Sequence, residues 1–113
     1  MGCMMYKLIH TKEAEDDLDG LVTYMIYSLT NAQAANRFLN FYYKQAKTLS
    51  IFPFGYRNIG IKYQGYEIRI KPFSSYNIFF VVDKIKNQIT ILRVLKDRQN
   101  WKSILHNEDK YSF

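Results

Sequence analysis

The chain has 113 residues, 48% of them hydrophobic, and its sixteen Lys and Arg outnumber ten Asp and Glu for a net charge of +6. One compact domain fits that length and two do not, the apolar content argues against disorder, and the lone cysteine excludes a disulfide framework or a cysteine-rich zinc site. No apolar run approaches the ~20 residues of a membrane span and no secretory segment is evident, so a cytoplasmic protein without a membrane partner is expected.

Tyr6 to His10 reads as a short strand, and Thr11 as the N-cap of the helix that follows. Glu13, Glu15, Asp16, Asp17 and Asp19 crowd the start of that helix, where negative charge complements the dipole; this accounts for the cluster better than a metal site does. Leu18, Leu21, Val22, Met25, Ile26 and Leu29 recur on one helical face, so the helix is expected to reach Tyr27 or Ser28. Thr30 and Gln33 have capping-box spacing and start a second helix, whose stripe is Ala35, Phe38, Leu39, Tyr42, Ala46 and Leu49. The short joint forces an antiparallel helical hairpin, closed by Pro53 and Gly55.

Beyond the hairpin, Tyr66, Ile68 and Ile70 alternate with Glu67, Arg69 and Lys71, the pattern of a strand with one wet face. A turn over 72–75 leads to an apolar strand, Tyr76 to Val82. A second turn over 83–87 leads to the strand Ile89 to Leu95, and Trp101, Ile104 and Leu105 have the spacing of a short last helix. The expected fold is therefore α+β, with a helical hairpin packed on a small antiparallel sheet in the order β-α-α-β-β-β-α. It forms a single domain over 1–113, with 1–4 and 107–113 as tails.

The positive charge is not spread evenly. Residues 1–56 are neutral, whereas 57–102 carry ten Lys and Arg against Glu67, Asp83 and Asp97, a net of +7. Arg69 and Lys71 share one side of their strand, Arg93 is the lone charge in an apolar strand, and Lys96, Arg98 and Lys102 follow closely. An arginine so placed needs a carboxylate, a wet groove or a phosphate; Glu67 and Asp83 are the candidate carboxylates. Trp101, Tyr63 and Tyr66 are candidates for stacking or for hot spots of an interface. His10 and His106 lie at opposite ends of the chain, and neither a zinc spacing nor a phosphate loop occurs, so no metal and no cofactor is expected. These residues suit phosphate binding better than proton transfer.

Taken in order, Tyr6-Lys7-Leu8-Ile9 with Thr11, Ala14, Asp17 and Leu18, then Gly65-Tyr66-Glu67-Ile68-Arg69, then Tyr76 to Asp83, and above all Ile91-Leu92-Arg93-Val94-Leu95-Lys96-Asp97-Arg98-Gln99-Asn100-Trp101, resemble the RelE/ParE superfamily over residues 5–105. The resemblance implies the toxin of a type II toxin–antitoxin module, of the kind that stabilises plasmids, held in a hetero-oligomer by a cognate acidic antitoxin. RelE-like members cut mRNA on the ribosome; ParE-like members poison DNA gyrase without being nucleases. The long hairpin looks ParE-like, and Lys96-Asp97 stands where many relatives carry a histidine, which counts against a histidine-dependent nuclease. Growth inhibition by binding an essential machine such as gyrase is the first expectation, a ribosome-dependent endoribonuclease the second, and a non-toxic basic binding module the third. In the nuclease case Arg69, Arg93 and Arg98 match basic catalytic positions; Lys71, Lys96, Trp101 and Lys102 are expected to bind the target or the antitoxin.

Overall fold

A computed structural model describes residues 5–105; the two tails expected at 1–4 and 107–113 lie outside the described residues. The chain runs β1 (Lys7–His10), α1 (Lys12–Thr23), a π-helical turn (Tyr24–Ser28), α2 (Ala32–Ile51), β2 (Arg57–Tyr63), β3 (Tyr66–Phe73), β4 (Tyr76–Asp83), β5 (Gln88–Lys96) and α3 (Trp101–Leu105). The sheet order is β1-β5-β4-β3-β2. β2 to β5 form the antiparallel meander, and β1 joins it in parallel beside β5, so the sheet is mixed.

The α+β architecture and the hairpin on one sheet face are as the sequence implies, with one more strand. β2 escapes a pattern search because Gly60, at φ +79°, interrupts its alternation with a bulge between Asn58 and Lys62. The first helix keeps α geometry only to Thr23; its last turn, over Tyr24–Ser28, widens to π. Leu29, expected on the apolar face, is exposed beyond that turn. The second helix starts one residue later than the capping box suggests. Thr30 sits at φ +51° and Asn31 is the cap, its side-chain oxygen accepting from the Ala34 N–H at 3.0 Å. The hairpin after β3 is also tighter than expected, because Pro72 and Phe73 remain in the strand.

Both sheet faces are covered. Ala14, Leu18, Met25, Ala35, Phe38, Tyr42, Ala46 and Leu49 of the hairpin pack on Phe73, Ile78, Phe80, Ile89, Ile91 and Val94. On the far face Ile68, Ile70, Phe79, Val81, Leu92 and Leu95 gather around Tyr63 and Leu105, with Trp101 and Ile104 against them. This second layer overturns two sequence expectations. Tyr63 is core, not an exposed stacking residue, and β3 has no uniformly wet face: Lys71 is buried on the helix side.

Candidate functional site

Two places on the molecule collect the basic residues, and β5 organises the first. β1 pairs with β5 only as far as His10 and Ile91. Past that point α1 takes over the open strand edge. The Thr11 N–H donates to the Ile91 carbonyl at 3.0 Å, and the Thr11 hydroxyl donates to the Leu92 carbonyl at 2.8 Å. The same hydroxyl oxygen caps α1 by accepting from the Ala14 N–H. Next along the edge, the Val94 N–H donates to Asp17 Oδ2 at 3.0 Å.

A β-bulge lies at this point. Phe79 pairs with Arg93 and Phe80 with Ile91, leaving Leu92 as the extra residue. Bulges re-aim side chains. Here Arg93 turns to α1 and grips Asp17 with both arms, Nε to Oδ2 at 2.7 Å and Nη2 to Oδ1 at 2.8 Å. The partner of Arg93 is thus neither Glu67 nor Asp83 but a member of the acidic cluster of α1, 76 positions away. Asp17 is therefore a structural carboxylate, and no metal-binding group of His, Cys, Asp or Glu forms among the described residues.

The β5 exit carries the next candidates. Lys96 lays its ammonium over the Tyr24 ring, 4.8 Å from the centroid, and its N–H is held by the Gln99 side chain at 2.8 Å. An open groove of about 490 Å³ runs here between α1 and β5, with Gly20, Leu21, Tyr24, Val94, Lys96 and Gln99 on its walls. Arg98 is exposed and borders the adjoining hollow with Ser75, Tyr76 and Asp97. Asp97 accepts from the Asn77 amide at 3.0 Å, which ties the exit to β4. Trp101 leans on Phe79 across the far face, ring centres 5.5 Å apart, with the Lys102 ammonium 5.7 Å from its ring centre.

The second place lies at β3. Arg69 donates to the Tyr56 carbonyl at 2.8 Å and stands 3.9 Å from Glu67. Lys71 donates to the Tyr56 hydroxyl at 2.9 Å. Phe54 and Tyr56, which no sequence pattern singled out, form the aromatic part of this cluster. Only the run Phe52-Pro53-Phe54-Gly55-Tyr56, aromatic but without periodicity, could have drawn attention to them.

Arg69, Arg93 and Arg98 are therefore not convergent. β4 separates β3 from β5, roughly 10 Å at the usual strand spacing, and Arg93 is turned to the outer edge. The described histidine, His10, sits in β1 at the edge of the sheet and shares a hydrogen bond of 2.7 Å with the Tyr42 hydroxyl. Burial pushes the His10 pKa down and the Tyr42 pKa up, so both are held neutral. Across the sheet, Asp83 is held below the usual carboxylate range by the Lys86 N–H and by the Tyr66 hydroxyl, which donates to it at 2.9 Å.

A mixed sheet backed by a helical hairpin, with a basic exit from its last strand, defines the RelE/ParE class of small toxins. Residues 8–101 match the family described as the ParE toxin of type II toxin–antitoxin systems, parDE, and the chain belongs to that family. It is the toxin of a type II toxin–antitoxin system. Among solved structures it is similar to the toxin–antitoxin complex RelBE2 of Mycobacterium tuberculosis, with a TM-score of 0.61 and 19% identity over 84% of this chain and 94% of that one. No curated protein matches the sequence. Among the described residues, no helix is long and apolar enough to cross a membrane.

Proposed function

We propose that this toxin arrests growth by binding DNA gyrase, that it acts without cleaving a substrate, and that an acidic antitoxin neutralises it. The observation that carries the reading is the grip of Asp17 on Arg93. Strand scission needs charge stabilisers and a proton donor and acceptor around one phosphate. Of the three arginines at nuclease-like positions, one is locked in an ion pair, and the other two stand on separate parts of the surface. His10, the described group with the most suitable ordinary pKa, is engaged with Tyr42 on another strand. The exit residues Lys96, Arg98, Trp101 and Lys102 then serve as contacts for the target, a role that needs exposure and charge but no proton transfer.

Induction in cells tests this. The expected phenotype is filamentation with a DNA-damage response, relieved by co-expression of the adjacent antitoxin gene. Rapid arrest of translation, with new mRNA 5′ ends on ribosomes, would instead support the endoribonuclease reading. Growth unaffected by full expression would leave only a basic binding module.

A further inference from the structure

Buried charges in proteins are normally paired, because an unpaired ammonium away from water is costly. Lys71 departs from this rule. It is 7% exposed, and among the described residues its ammonium meets no carboxylate within 4.0 Å. Its hydrogen-bond acceptor is the neutral Tyr56 hydroxyl, and it also lies 4.6 Å from the centre of that ring. Arg69 adds a second cation on the same strand face. Its one carboxylate neighbour, Glu67, is half exposed and, at 3.9 Å, beyond hydrogen-bond range, which makes a weak, screened pair. Lys84 adds a third from the β4–β5 turn, 4.9 Å from the Phe54 ring centre, where Arg69 also stands at 5.6 Å. Three cations thus surround two aromatic rings with almost no compensating negative charge.

The geometry points to a carboxylate receptor: Arg69, Lys71 and Lys84, gathered around Phe54 and Tyr56, take an acidic side chain from an amphipathic protein segment. Two observations favour protein over nucleic acid. Single-stranded nucleic acid is gripped by stacking on aromatic faces as well as by charge. Here Phe54 is already occupied by Arg69, Lys84 and the edge-on Tyr6 ring, and Tyr56 by Lys71 and Phe80, so no ring is left for a base. Next to the cations, Phe52 is 68% exposed and Phe54 42% exposed, an apolar shelf that suits the hydrophobic residues flanking an acidic one. The inference rests on the toxin–antitoxin reading only in making the antitoxin the natural bearer of such a segment; it is independent of gyrase.

The test uses the full chain with a fluorescein-labelled synthetic peptide of alternating Glu and Leu, a Gln and Leu control peptide, and a labelled oligouridine RNA, followed by anisotropy. The Glu peptide is expected to bind, to weaken with salt, and to lose at least about tenfold in affinity with Lys71→Met. The same variant should melt a few degrees higher, roughly 3 °C, because it removes an unpaired buried charge. Lys84→Glu, on an exposed residue, reads the same site without touching the core and should also weaken the peptide. Equal peptide affinity in wild type and both variants would overturn the proposal, as would tighter binding of the RNA with the same sensitivity. A lower melting temperature for Lys71→Met with unchanged peptide binding would make Lys71 a strut for Tyr56 and also overturn it. Gyrase inhibition is scored separately, so failure of either reading leaves the other intact.

Discussion

The guanidinium of Arg93 and the carboxylate of Asp17 form a two-armed ion pair, and the same carboxylate accepts the Val94 N–H. One side chain therefore seals the edge of β5 and fixes α1 to the sheet. Because both partners are mostly buried, removal of one leaves the other charge uncompensated. Asp17→Asn is expected to cost about 3 kcal/mol, read as a shift in the urea midpoint. A double-mutant cycle with Arg93→Met should return a coupling of roughly 2 kcal/mol. Additive single effects would mean that the pair does not hold α1 in place.

Helix capping in the hairpin gives a second check. Asn31 caps α2, while Thr30, a β-branched residue, is held at φ +51°. Asn31→Ala should destabilise by about 1 kcal/mol, and Thr30→Gly should stabilise by roughly 0.5–1 kcal/mol. If Thr30 were the cap, the two signs would not separate in this way in thermal melts.

Thr11 has three hydrogen bonds, two into β5 and one within α1. Thr11→Ala should therefore cost more than an ordinary cap, about 2 kcal/mol, because it also strips the Leu92 carbonyl of its partner. Thr11→Ser, which keeps the hydroxyl, should recover most of that loss. Equal losses in the two variants would point to the methyl group and its packing instead.

His10 sets a pH dependence. Its folded pKa lies below the ordinary 6.5, chiefly through burial, so the unfolded chain binds the proton more readily. The stability it contributes is complete above about pH 6.5 and is lost as pH falls through the lower folded value. The urea midpoint should accordingly drop between pH 7.5 and pH 5. His10→Gln, which keeps an acceptor for the Tyr42 hydroxyl but does not titrate, should flatten that drop. An unchanged slope in the variant would assign the effect to another group.

Much of the fold was legible because its signals are local. The apolar stripe of α2, the Thr11 cap and the apolar run of β4 each follow from residues within a few positions of one another. β2 was hidden because Gly60 and a bulge break its alternation. The π turn left no pattern, since its apolar residues keep helical spacing through Ile26. The site was harder to read than the fold. The tie between Arg93 and Asp17 spans 76 positions and depends on a bulge that turns the arginine outward, and neither is visible in the strand itself. Likewise, nothing in Tyr66-Glu67-Ile68-Arg69-Ile70-Lys71 distinguishes the half-exposed Arg69 from the buried Lys71, because burial there comes from Tyr56 and not from β3.

The central claim is that this ParE-family toxin acts by binding gyrase and not by cutting RNA. A supercoiling assay with purified gyrase and purified toxin tests it most directly, run beside primer extension on ribosome-bound mRNA with the same preparation. The expected result is dose-dependent loss of supercoiling, reversed by the antitoxin and weakened by Arg98→Ala, with the mRNA left intact. Normal supercoiling together with cut mRNA would contradict it.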